Sequence, residues 1–325
     1  MKKRILSRMR PTGKLHIGHL VGALENWVSL QETYENFHLV ADWHVLTTSL
    51  EKTDKIHDLS LEMVTDWLAA GIDPEKSPVF IQSQIKEHAE LFLLFSMLVT
   101  VPRLERNPAV KEQAKSLNIE DNISYGHLGY PVLQAADILL YRANLVPVGE
   151  DQLPHIELCR EIARKFNKTY DKVFRLPEAK LTNFPRLPGP DGKRMSKSLG
   201  NVILMSDTPD EVFKVVRTAI TDPAKIRRND PGNPEICNVF TWHKKFNPGG
   251  IPEIDRDCRS GALGCVDCKK KCAKQISAYL APIQEKRMQY VNDPDLVKDI
   301  IAEGNRRARI EAAKTMEAVH KAMSF

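Results

Sequence analysis

The 325-residue chain is 42% hydrophobic and 27% charged, which excludes a disordered polypeptide and leaves room for two domains with cores of their own. A net charge of +5 and a pI near 8.8 permit a nucleic-acid partner without demanding one. The longest apolar run, 91–101, is too short to span a bilayer and no apolar stretch follows the basic start, so we expect a cytoplasmic protein with no membrane contact and with reduced or metal-bound cysteines.

Residues 4–7 read as a first strand and Gly18 as the start of a helix, which makes the stretch between them a strand-to-helix turn. In an open α/β sheet such turns lie at the carboxyl edge of the strands, where ligands bind. The turn contains neither Gly-x-Gly-x-x-Gly nor Gly-x-x-x-x-Gly-Lys-Ser/Thr. It offers His16-Ile17-Gly18-His19 instead. A glycine at a helix entrance lets backbone approach a phosphate, and the flanking imidazoles suit hydrogen-bond donation to it. Residues 20–31 form an amphipathic helix, with Val21, Leu24, Trp27, Val28 and Leu30 on or near one side. A short apolar strand, 37–42, ends at Asp42-Trp43-His44. A helix over 56–70 closes at Gly71, and a third strand, 79–82, leads to a helix over 87–98. Continuous apolar strands separated by helices predict a parallel sheet covered on both faces.

From Arg103 the chain turns polar around two short helical pieces, a surface segment expected to be mobile and near the active site. A helix over 130–141 follows, then Val146-Pro147-Val148, then a helix opened by Gly149-Glu150-Asp151-Gln152 that runs to Phe166. Pro185, Pro188, Gly189, Pro190, Gly192 and Gly200 mark a loop and a domain boundary. Beyond it the alternation stops, and the spacing predicts helices over 210–220, 236–246, 266–280 and 296–323. The second domain is therefore small and all-helical.

Three constellations carry chemistry. In Gly192-Lys193-Arg194-Met195-Ser196-Lys197-Ser198, two cations three residues apart suit a loop that closes over a polyphosphate. Taken alone, the loop is equally well a basic surface turn. Asp137 lies in the apolar run Ala135-Ala136-Asp137-Ile138-Leu139, where a carboxylate is costly unless paired. Tyr130, Gln134 and Asp137 share one helix face. An indole N–H, a donor only, matches an ionised carboxylate. On these residues alone, an Asp satisfied by a helix N-terminus or an arginine is the commoner outcome.

Five of the six cysteines crowd into 237–272, the first four as Cys237, Cys258-x6-Cys265-x2-Cys268. A structural zinc usually shows two Cys-x-x-Cys or Cys/His pairs, and this segment has one. Four thiolates at irregular spacing suit an iron–sulfur cluster. Cys272 shares a helix face with Cys265 and Cys268, as a spare thiol or a rival ligand, and Cys159 reads as a buried helix residue. Lys269, Lys270, Lys271 and Lys274 make the same region basic.

Taken as a pair, His16-Ile17-Gly18-His19 and Arg194-Met195-Ser196-Lys197-Ser198 resemble the two signatures of class I aminoacyl-tRNA synthetases. Met9-Arg10-Pro11-Thr12-Gly13, Ala41-Asp42-Trp43-His44, Leu133-Gln134-Ala135-Ala136-Asp137, Val146-Pro147-Val148-Gly149-Glu150-Asp151-Gln152 and His155-Ile156-Glu157-Leu158 are similar, in order, to the bacterial tryptophanyl-tRNA synthetases. The resemblance implies an α/β fold, a Rossmann-type parallel sheet over residues 1–188. It implies a helical domain of the anticodon-binding type over 189–290, and a last helix, 291–325, packed back on the first domain. The implied activity is tryptophan–tRNA ligation, with tyrosine as the nearest rival substrate. A small-molecule nucleotidyltransferase and a non-catalytic iron–sulfur sensor are remoter readings.

Carried over by position, Arg10, Pro11, Thr12, Gly18 and His19 line the ATP site, with His16 and His19 toward the α-phosphate. Gly149, Glu150 and Asp151 meet the nucleoside and Leu187 the adenine. Arg194, Met195, Ser196, Lys197 and Ser198 cover the phosphates, Lys197 stabilises the transition state, and Lys111 assists at pyrophosphate. Asp137, Tyr130, Gln134, His44, Val146, Val148 and Gln152 surround tryptophan. The resemblance further implies Mg2+ with ATP, tRNA(Trp) as partner, a homodimer, and a 4Fe-4S cluster on Cys237, Cys258, Cys265 and Cys268, with Zn2+ as the alternative. The basic cluster region is expected to face tRNA. Three positions depart from the pattern: Arg8 stands where a small residue is usual, Arg194 where Lys is usual, and His19 where Asn is common.

Overall fold

The apolar strands of the first half do assemble into one parallel sheet. In the computed structural model, which describes residues 2–51, 53–181 and 187–325, five strands lie in the order β3-β2-β1-β4-β5. They are β1 (Arg4–Met9), β2 (Glu35–Val40), β3 (Val79–Ile81), β4 (Leu145–Val148) and β5 (Glu178–Leu181), every pair parallel. Chain order runs from β1 outward to β3, then returns to place β4 on the other side of β1. The switch point between β1 and β4 is where an open sheet of this kind leaves a crevice. Pro185 of the predicted loop and the side chain of Ser198 lie outside the described residues.

Alternation along β2 separates two cores. Phe37 and Leu39 join one, with Leu6, Phe80, Phe95 and Phe166. Val40 joins the other, with Trp27, Trp67, Val79 and Ile81. Helix α1 (Ile17–His19) passes through a π-helical turn, Leu20–Leu24, into α2 (Glu25–Leu30). These, with α4 (Ile56–Ala69), cover one face, while α3 (Trp43–Leu46) caps the end of β2. The other face carries α5 (Glu87–Ser96), α8 (Tyr125–Leu140) and α9 (Leu153–Thr169). Two short helices, α6 (Val101–Glu105) and α7 (Pro108–Leu117), account for the polar segment.

The later half is helical: α10 (Pro209–Thr218), α11 (Asn238–Phe246), α12 (Ile251–Arg259), α13 (Cys265–Asn292) and α14 (Pro294–Met323). Its apolar side chains Val212, Val216, Trp242, Ile276 and Leu280 share a core with Leu15, Ile17 and Trp67. Helix α14 lies against β3 so closely that a Cβ on Gly304 would fall 1.9 Å from the Val79 carbonyl oxygen.

Strand β5 and helix α12 escaped the sequence pattern, and helix α13 runs past its predicted end. Strand β5 is short and partly exposed, with no β-branched residue to announce it. Helix α12 buries only Ile254, so it lacks an apolar stripe. Helix α13 continues through Pro282 to Asn292, well past the predicted end at Leu280.

Candidate active site

The strand-to-helix turn is laced to the segment beyond the Pro/Gly-rich loop. Ile17 N–H donates to Ile203 O at 2.9 Å and Met205 N–H to Leu15 O at 2.9 Å. This pairing brings the two motifs together. Lys197 Nζ donates to the backbone oxygens of Thr12 at 2.8 Å and Lys14 at 3.1 Å. Burial lowers the pKa of this ammonium, while Asp66 and Glu62 oppose the shift.

His16 caps α1, and its ring stacks on His19 with centroids 3.7 Å apart. Burial, then the Lys197 and Arg194 charges, pushes His16 down to about 4. Burial, then His16, Lys197 and Arg194, pushes His19 down to about 3. Both rings are therefore neutral at pH 7, each with one donor and one acceptor nitrogen. Gly18 is demanded by this stack, because a Cβ there would lie 2.9 Å from His16 Nδ1. Gly13 adopts φ +109°, a left-handed turn that favours glycine.

Beside the turn, at the carboxyl end of β1, opens a cavity of about 370 Å³. Arg8, Arg10, His44, Thr47, Tyr130, Asp151, Gln152, His155 and Arg194 line it, and α7 adds Ala109, Glu112, Gln113 and Ser116. Three arginines face two acids there. Tyr130 Oη lies 3.1 Å from His155 Nε2. Burial raises the phenol to about 12 against the pull of Arg8 and Arg10, so it stays protonated.

Asp137 is fully buried on α8, and its carboxylate is already engaged. Oδ2 meets His44 Nε2 at 2.9 Å, while Oδ1 meets His88 Nδ1 at 2.7 Å and Gln82 Nε2 at 2.6 Å. Burial alone would raise this carboxyl, but the bonds from His44 and His88 hold it well below the usual range. His44 is pushed down to about 4 by burial and by Arg8, so it meets the carboxylate as a neutral imidazole. The sequence argument paired Asp137 with a helix N-terminus, an arginine or an indole. The structure pairs it with two histidines and a glutamine, from β2's cap, α5 and the turn after β3.

The remaining expected residues divide. Arg10, His44, Tyr130, Asp151, Gln152 and Arg194 reach the cavity. Gly149 and Glu150 stand at its rim, and a Cβ on Gly149 would lie 2.6 Å from Asp151 Oδ1. Gln134 is buried, and its Oε1 has no partner among the described residues. Val146 is in the second core with Val148 packed against it, and neither lines the cavity. Leu187 and Met195 are buried in the first core. Lys111 is exposed on α7, off the face that carries Ala109, Glu112 and Ser116. His88, Gln82 and His155 were missed as individual site residues. Only their tertiary neighbours mark them.

Cys237 caps α11, Cys258 sits on α12, and Cys265 and Cys268 open α13. Burial raises the Cys237 and Cys258 thiols and takes Cys268 to about 12; the other cysteines of the set add to each shift, so the four lie within electrostatic reach of one another. A Cβ on Gly232 would fall 2.8 Å from Cys258 Sγ, and His243 Nε2 lies 3.6 Å from Cys268 Sγ. Among the described residues, no group of three His, Cys, Asp or Glu is gathered as a metal ion requires. Cys272 is buried in the core against Val239 O, which makes it a packing residue, and Cys159 is likewise buried.

The family model for class I tRNA synthetases (W and Y) matches residues 2–281. The chain is 54% identical to the tryptophan–tRNA ligase of Thermotoga maritima over 99% of each chain. It is 44% identical to that of Aquifex aeolicus, covering 99% of this chain and 100% of the relative. Among solved structures, tryptophanyl-tRNA synthetase from Campylobacter jejuni, complexed with ADP and tryptophan, superposes with a TM-score of 0.89 at 32% identity, covering 99% of this chain and all of the other. No helix among the described residues is long and apolar enough to cross a membrane. With the two motifs joined by hydrogen bonds and identity running from end to end, the chain belongs to the bacterial tryptophanyl-tRNA synthetases of class I.

Proposed function

We propose that this tryptophan–tRNA ligase activates its amino acid in the cavity at the carboxyl edge of the sheet, between the turn at 10–19 and the loop at 194–198. The observation that carries the reading is the reach of Lys197 Nζ to the carbonyls of Thr12 and Lys14, which joins the two motifs into one jaw. A tryptophan carboxylate oxygen attacks the α-phosphorus of ATP. The bond to the β-phosphate oxygen breaks and pyrophosphate leaves. The aminoacyl group then passes to the 3′ end of tRNA(Trp), and AMP departs. No protein nucleophile is required, so the chain's contribution is position and charge.

In this reading Lys197 leaves the two carbonyls for the phosphates as charge moves onto the leaving group. Arg10, Pro11, Thr12, Gly18, Arg194, Met195, Ser196 and Ser198 shape the path of the triphosphate. His16 and His19, neutral and stacked, offer N–H donors on its α side. Asp151 and the turn at Gly149 and Glu150 take the ribose. Tyr130, His44 and Gln152 surround the amino acid. Asp137 holds His44 in place while its Oδ2, with a single partner, has acceptor capacity for the indole N–H. ATP enters as its Mg2+ complex, which neutralises phosphate charge.

Cys237, Cys258, Cys265 and Cys268 would hold a 4Fe-4S cluster, which would tie α11, α12 and the start of α13 together. The mutual electrostatic reach of the four thiols supports it. With Lys269, Lys270, Lys271 and Lys274 beside it, this end of a helical tRNA-binding part, 189–290, faces the nucleic acid. The enzyme works as a cytoplasmic homodimer. Replacing Lys197 with alanine tests the reading. Tryptophan-dependent pyrophosphate exchange should fall about 100- to 1,000-fold while tryptophan binding persists, tyrosine supporting no exchange in either protein. Full exchange in the variant overturns it. Iron and zinc analysis with an anaerobic absorption spectrum decides the metal.

A further inference from the structure

Arg8 is the half-buried cation that the reaction above does not use. It stands near the end of the central strand β1, opposite Leu39 of β2, and its side chain lines the cavity at the β1/β4 switch point. Three other arginines drawn into the fold hold carboxylates. Arg4 holds Glu35 and Glu311, Arg103 holds Glu161, and Arg287 holds Asp66 and Glu62. The guanidinium of Arg8 meets no acceptor among the described residues. The strongest counter-charge acting on it is Asp137, which is fully buried and already bonded to His44, His88 and Gln82. Arg10 repels it across the same space. A desolvated guanidinium with five unmet donors beside a second cation is costly. An anion entering the cavity would relieve both costs.

The neighbours of Arg8 say which end of the cavity it serves. His44, Tyr130 and His155 all lie in its field, and they flank the amino-acid side. Arg194, in whose field His16 and His19 stand, lies toward the nucleotide turn. A carboxylate has two coplanar oxygens that match the guanidinium fork. We propose that Arg8 binds the α-carboxylate of L-tryptophan as a bidentate pair and so aims the attacking oxygen at the α-phosphorus. Each carboxylate oxygen has two lone pairs, so the fork leaves one free for the attack. The proposal rests on the cavity being the tryptophan site.

Binding of L-tryptophan and of L-tryptophanol, which lacks the carboxylate, separates the possibilities. Equilibrium dialysis on the full chain should show Arg8→Met weakening tryptophan about 10- to 100-fold, with tryptophanol changed less than about twofold. Arg8→Lys, which keeps charge without the fork, should recover part of the loss. The KM for ATP should stay unchanged in both variants. Equal weakening of tryptophan and tryptophanol would mean packing and overturn the proposal. Unchanged tryptophan binding with a raised ATP KM would mean a phosphate contact and overturn it as well. If the wild-type chain bound ATP but no tryptophan, the assignment of the cavity itself would fall.

Discussion

Lowering the pH from 7 to 5 should cost this fold stability through histidines it keeps neutral. His38 is fully buried on β2, its ring stacked on Trp27 at 5.2 Å, with neither nitrogen partnered among the described residues. Burial pushes it down to about 3. His44 falls to about 4 through burial and then Arg8, and His155 falls to about 4 for the same two reasons. All three folded values lie below the unfolded value of about 6.5, so the unfolded chain takes up protons first. Stability is then fully present above that value and drains as the pH falls toward the folded values. Each histidine contributes a loss of about 0.8 kcal/mol at pH 6 and about 2 kcal/mol at pH 5, whether its folded value is 3 or 4. Three together reach about 6 kcal/mol, comparable to the whole stability of a typical domain. Urea unfolding at pH 7, 6 and 5 measures this directly. His38→Leu, of similar volume and unable to titrate, should lose about 2 kcal/mol less than the wild type between pH 7 and 5. Identical slopes for the two proteins, or a wild type equally stable at pH 7 and 5, would refute the reasoning.

Gly304→Ala should destabilise the protein by about 3 kcal/mol, the upper end for overpacking, because the new Cβ meets the backbone oxygen of Val79 at 1.9 Å and α14 must lift from β3. An unchanged denaturation midpoint would contradict that contact. Arg287→Met strands the buried Asp66 carboxylate with the Leu15 N–H as its remaining partner, a loss of about 3–5 kcal/mol for a broken buried pair. It should also raise the KM for ATP in pyrophosphate exchange while leaving tryptophan binding alone, since Leu15 belongs to the turn proposed above to receive ATP.

Much of the sheet was legible because parallel strands buried on both faces read as apolar runs, and Phe37 to Val40 is such a run. Strand β5 was not, because an edge strand of Glu, Ala, Lys and Leu carries no such signal. The site was legible as a set of positions, not of directions. Val146 and Val148 stand in the right motif, yet the pleat of β4 turns them to the core. Lys111 lies on the right helix, yet the cavity sees Ala109, Glu112 and Ser116. Asp137 was visible as an anomaly, a carboxylate in an apolar helix. Its partners were not, because His44, His88 and Gln82 come from three other places in the chain and meet it only after the sheet has formed. The cysteine spacing predicted a metal ligand set, but among the described residues no group of three His, Cys, Asp or Glu is gathered as a metal ion requires.

Helix α13 ties two of these features together and shows why they are separable. Its first turn carries Cys265 and Cys268, and Arg287 lies about 33 Å further along at 1.5 Å per residue. Arg287 Nε holds Asp66 Oδ1 at 2.7 Å, and Asp66 Oδ2 accepts the Leu15 N–H at 3.0 Å. Leu15 O in turn accepts from Met205, so the strand-to-helix turn is fastened from two sides without any cysteine. Between the ends, Cys272, Ile276 and Leu280 seat the helix in the first core. Replacing Cys265 and Cys268 should therefore disturb the first turn of α13 and its neighbours on α11 and α12, while the buried middle and the ion pair keep the far end in register. The cysteine end shapes the basic surface of the helical half. The arginine end shapes the strand-to-helix turn.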